Sequence, residues 1–119
     1  MPTADVRSFV EGKIRRAELG DTVRAEPLDG PSHAAIGAPE VRLVGPAGAV
    51  ALHADGLLTA GGDVVRYADI LDVTPTPDGL VLTRDGAAPL RLATSADGGL
   101  VLHATLRWIA RTRFRRPIA

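Results

Sequence analysis

The stretch GLVLHATLRWIARTRFRR, residues 99–116, decides how this chain folds. Val101, Leu102, Thr105, Trp108, Ile109 and Thr112 recur at three- and four-residue spacing as one broad apolar stripe, while Arg107, Arg111 and Arg115 fall on another. The spacing predicts an amphipathic helix bearing the sole tryptophan and five arginines. Thr94-Ser95-Ala96-Asp97 introduces it with the spacing of a capping box, Asp97 standing near the positive helix end, and Pro117 closes it.

Upstream of this helix the hydrophobic period is two. Candidate strands are Thr22 to Leu28, Glu40 to Val44, Ala49 to His53, Leu57 to Ala60, Val64 to Val73 with a break near Ala68, Leu80 to Arg84, and Pro89 to Ala93. Gly-Pro, Asp-Gly and Gly-Gly pairs between them supply turn chemistry. Val50 and Leu52 are expected to face the core, with Ala51 and His53 outward. Pro75 and Pro77 have no N–H for a ladder, so the strand containing Val73 must end there or lie at an edge. The irregular segment Asp29 to Pro39, DGPSHAAIGAP, reads as an exposed, mobile loop. A meander of strands followed by one helix is the pattern of an open barrel plugged at its end, and Trp108 is expected in the plug.

Val6, Phe9, Val10, Ile14 and Ala17 predict a further helix from Ala4 to Leu19, with Thr3 as N-cap and Asp5 in the first turn. Glu11 and Arg15 are spaced to pair, Gly20 can stop the helix in a left-handed conformation, and Gly12 within it costs about 1 kcal/mol relative to Ala. Val6, Phe9, Val10 and Ile14 form a stripe that can exceed what the barrel covers, which makes them the candidate self-association residues.

A chain of 119 residues, 45% hydrophobic and 24% charged, has room for one core and too little polarity for disorder. It contains no cysteine, which removes disulfides, thiolate metal sites and a Cys nucleophile and fits a reducing cytoplasm. The first residues lack the apolar run of a signal peptide, and no stretch reaches the length of a membrane span. The expectation is a cytoplasmic protein, peripheral to the inner membrane at most. Net charge is zero, yet residues 1–16 and 107–116 are basic and the middle is acidic, a polarity suited to self-association or to an acidic partner at the helix.

Residues with catalytic letters do not assemble into a motif. His33, His53 and His103 match no zinc spacing, although His53 and Asp55 flank a predicted turn. Asp29, Ser32 and His33 share one loop, whereas a triad draws on separated residues of a rigid scaffold. Gly45-Pro46-Ala47-Gly48 reads as a hairpin and not as a nucleotide-binding turn, and Asp69, Asp72 and Asp78 are spread over strand ends. No catalytic, cofactor-binding or metal-binding residue is assigned, and a non-enzymatic role is expected.

VALHADGLLTAGGDVVRYADILDV (residues 50–73), then GLVLTRDGAAPLRLAT (79–94) and the helix, resembles the pleckstrin-homology-like superfold, including its bacterial and GRAM-type versions. The resemblance implies a mainly β, α+β fold: an antiparallel barrel of about seven strands closed by a C-terminal helix over residues 21–119, with 1–20 as a helical extension. Phosphoinositide-binding members place basic residues in the loop joining the first two strands; the corresponding Asp29 to Pro39 has no Lys or Arg. The implied role is therefore a scaffold for a protein partner or homo-oligomer, contacted through Arg107, Arg111, Arg113, Arg115 and Arg116, with an anionic membrane as the alternative. Residues 64–106 also look somewhat like a LytTR-type DNA-binding domain, but the acidic middle opposes nucleic acid.

Overall fold

Helix α1, Val6–Arg16, comes first in the computed structural model, which describes residues 5–114. Its N-cap is Asp5, whose side chain accepts from the Ser8 N–H at 2.6 Å; Thr3, the cap expected from sequence, lies outside the described residues. That bond to the Ser8 backbone is the main reason the Asp5 carboxyl titrates below the ordinary aspartate range. The helix stops three residues short of Leu19. Glu18, not Gly20, takes the left-handed conformation at φ 57°, and the Leu19 N–H then bonds back to the Ile14 carbonyl. Glu11 pairs with Arg7, one turn before it, in place of Arg15.

Eight strands follow: β1 (Arg24–Pro27), β2 (Pro39–Gly45), β3 (Gly48–His53), β4 (Gly56–Thr59), β5 (Val64–Arg66), β6 (Ile70–Thr76), β7 (Gly79–Arg84) and β8 (Ala87–Ala93). All pairings are antiparallel between sequence neighbours, giving a five-stranded sheet β1-β2-β3-β4-β5 and a three-stranded sheet β6-β7-β8. The break expected near Ala68 is a single 3-10 turn, Tyr67–Asp69, where the chain passes from one sheet to the other. Tyr67 pins this corner: its backbone N–H reaches the Asp55 carbonyl and its buried hydroxyl donates to the His53 carbonyl at 2.8 Å.

The architecture is α+β, and the two sheets are not closed into a barrel. Three of the four outer strands contain a proline, Pro27 in β1, Pro75 in β6 and Pro89 in β8, and the fourth, β5, is only three residues long. A strand that lacks a donor at such positions cannot complete a ladder with a new neighbour, so the edges stay edges. Pro75 is accommodated because β6 pairs with β7 alone.

Helix α2, Ser95–Arg113, lies across both sheets. Its cap differs from the predicted box: the Thr94 side chain caps nothing, and the Ser95 hydroxyl accepts from the Gly98 N–H. Asp97 accepts from the Thr22 hydroxyl at 2.7 Å. The first turns sit hard against β7, where a Cβ on Gly99 would fall 2.9 Å from the Gly79 carbonyl oxygen. Val101, Leu102, Thr105, Leu106, Ile109 and Ala110 are buried, so the core stripe is rotated from the expected one. Trp108 is at its margin, half-buried, and Thr112 is exposed. At 100° per residue, Trp108 points about a quarter-turn away from Ile109 and stacks on Phe9 of α1.

Two other expectations change. The Asp29 to Pro39 segment is docked: Ile36 is wholly buried, His33 and Gly37 exchange backbone hydrogen bonds, and the Asp55 backbone N–H donates to the Ile36 carbonyl. His53, expected to face out, is 7% exposed beneath that segment, its Nδ1 2.9 Å from the Gly37 carbonyl oxygen. Val50 and Leu52 face the core as the alternation predicts.

Candidate docking groove beside the terminal helix

α1 and α2 pack against each other, so the basic residues of both form one layer. α1 carries four basic residues and one acidic, α2 three basic and one acidic; residues 17–94, which make the sheets and their loops, carry five basic and eleven acidic, a net of −6. Folding thus converts a charge alternation along the chain into a positive helical layer over negative sheets.

The arginines singled out by sequence separate into three groups. Arg113 donates to Glu40 through both terminal guanidinium nitrogens, at 3.1 and 3.3 Å, and to the Ala54 carbonyl at 2.7 Å. It ties α2 to the five-stranded sheet. Arg107 and Arg111 are exposed and, among the described residues, form no ion pair, an arrangement of like charges at i,i+4 that costs a few tenths of a kcal/mol by itself. Arg115 and Arg116 lie outside the described residues.

Between α2, the end of β6 and α1 is a groove of about 360 Å³. Lys13 of α1 and Arg107 of α2 border it, Leu100, Ala104 and Pro75 give it apolar walls, and Thr76 and His103 add polar groups. No carboxylate lines it. Three clefts elsewhere are each lined by an aspartate: Asp63 in one, Asp21 in another, Asp69 and Asp85 in a third. Leu100, half-exposed at 50%, is among the few large apolar side chains left open to solvent.

The chain matches no family model, no curated protein and no solved structure. The groove therefore has to be read from its own chemistry.

Of the candidate self-association residues, Val6 and Val10 are wholly buried and Ile14 nearly so, all three within the hydrophobic core of this chain, and Phe9 is half-buried against Trp108. Sequence reasoning found Arg107 but missed Lys13 and Leu100, since nothing in spacing says that α1 lies beside α2 or that Leu100 falls off the buried face. Among the described residues no group of three or more His, Asp or Glu is placed to hold a metal ion. His33 and His53 approach edge to face with centroids 6.1 Å apart, but the His33 Nδ1 accepts from the Ala35 N–H and His53 faces the Gly37 carbonyl, so both serve the docked segment. No helix among the described residues is long and apolar enough to cross a membrane.

Proposed function

We propose that this chain is a non-enzymatic protein-interaction module of pleckstrin-homology-like architecture, engaging its partner through the helical layer. The order of elements, a larger antiparallel meander, a three-stranded one and then a helix, supports the architectural part. The observation that carries the functional part is the concentration of unpaired cations on the helices: Lys13, Arg15, Arg16, Arg107 and Arg111 have no ion pair among the described residues, and on the strands the comparable residues are Arg91 and Arg84, the latter donating to the Ala88 carbonyl. Exposed cations of one sign on one face raise the encounter rate with an anionic surface and fix its orientation.

The same cations favour a second reading, peripheral attachment to an anionic membrane, where each basic residue near the surface contributes about 1 kcal/mol. Peptide display on the folded protein, set beside co-sedimentation with phosphatidylglycerol vesicles, separates the two. Enrichment of peptides whose binding is lost in an Arg107→Glu, Arg111→Glu variant is the expected result. Vesicle binding lost in that variant, with no peptide enriched, would replace the first reading by the second.

A further inference from the structure

We infer that the groove beside α2 takes an acidic peptide segment carrying one aliphatic side chain, read through its side chains and not by adding a strand to β6. This rests on the interaction-module reading above and names the occupant of its site. Three observations converge on it. Lys13 and Arg107 come from different helices, border the same groove and have no anionic partner among the described residues, so an arriving carboxylate meets two cations whose mutual repulsion it relieves. Leu100 and Pro75 supply an apolar wall within a volume that accepts a leucine-sized side chain. The adjacent end of β6 presents Pro75, which has no N–H, so a peptide laid along this edge as an extra strand would lack a donor where it enters the groove.

Charge decides between possible occupants. A basic or neutral apolar segment would bury against unpaired cations and lose their hydration without compensation. A purely acidic segment would leave Leu100 in water. An aliphatic residue flanked by glutamates satisfies both parts of the groove.

The test uses the full chain and a fluorescein-labelled peptide with one leucine between glutamate pairs, followed by anisotropy at two salt concentrations. Lys13→Glu, Arg107→Glu and Leu100→Asp are each expected to weaken binding by about tenfold or more, while Arg91→Glu on β8 leaves it unchanged. A lysine-flanked peptide should recover binding to the Lys13→Glu, Arg107→Glu double variant, a gain that misfolding cannot produce. Wild-type affinity in the three groove variants would overturn the inference, as would equal binding of a peptide with glycine in place of leucine. Should display yield peptides whose binding ignores these substitutions, the interaction module stands and this groove is not its site. Absence of any peptide binding, with vesicle binding lost in the same variants, removes both.

Discussion

The Phe9 ring stacks on Trp108, centroids 5.0 Å apart and planes 17° from parallel. Neither ring is fully buried, Trp108 packing at the margin of the core; together they join α1 to α2, with Lys13, one turn beyond Phe9, and Arg107, next to Trp108, bordering one groove. The only tryptophan of the chain is thus a helix-to-helix contact and not the plug of a barrel. The face that α2 buries is mainly aliphatic, with Leu102, Leu106 and Ile109 each at most 1% exposed.

Because Trp108 is half-buried, Trp108→Ala is expected to cost about 1–3 kcal/mol, less than the ~3–5 kcal/mol of a fully buried ring. A double-mutant cycle with Phe9→Ala should show a coupling of about 0.5–1.5 kcal/mol in chemical denaturation. Zero coupling would mean that the two rings do not stack in solution.

Tyr67 makes stability depend on alkaline pH. Burial, reinforced by the Glu40 carboxylate, raises its phenol well above the ordinary range, so the folded protein keeps the proton that the unfolded chain releases near pH 10. The native state then binds more protons, and stability is complete below about pH 10 and falls as pH rises beyond it. Tyr67→Phe should cost about 1 kcal/mol at pH 7, by stranding the His53 carbonyl, and should flatten the decline above pH 10. Melting curves of both proteins between pH 7 and 11 check it; parallel slopes would show that another group causes the decline.

Two substitutions in and after α1 should stabilise the protein. At Gly12 an added methyl meets only the far ends of flexible side chains, Arg16 at 3.0 Å and Arg15 at 3.8 Å, so Gly12→Ala should gain about 0.5–1 kcal/mol of helix propensity. Glu18 holds a left-handed backbone that glycine adopts without penalty, and Glu18→Gly should gain on the order of 0.5–1 kcal/mol after the extra unfolded-chain entropy is counted. Thermal midpoints that fall in either variant contradict the backbone conformations described.

Ile36→Ala should destabilise by about 2–5 kcal/mol, the range for emptying a buried aliphatic site. Limited proteolysis would then cut first between Asp29 and Pro39. If the segment were the free loop its composition suggests, the substitution would leave both stability and cleavage rate unchanged.

Where period and turn chemistry speak together, the letters were legible. The two helices, the strand positions and the interruption near Ala68 follow from spacing, and most strand ends fall within two residues of the expected ones. The docked segment was not legible, because one isoleucine among DGPSHAAIGAP carries no period, and its burial depends on the surface offered by Gly56 and β3. The groove was half legible: Arg107 stands out in a basic helix, while Lys13 joins it only when α1 folds back along α2.

What the amino-acid order determined by itself is local: which segments are helix or strand, which residues within each are apolar, and that the ends are basic and the middle acidic. These follow from periodicities of 3.6 and 2 and from glycine and proline at the turns, all set within a few residues of chain. Only the tertiary structure decided that the strands remain two open sheets, that Trp108 faces α1, that Arg113 is committed to Glu40, and that Lys13, Leu100 and Arg107 border one groove. The reason is physical: these relations join residues tens of positions apart, and they arise from competition for burial across the whole core, which no local window contains.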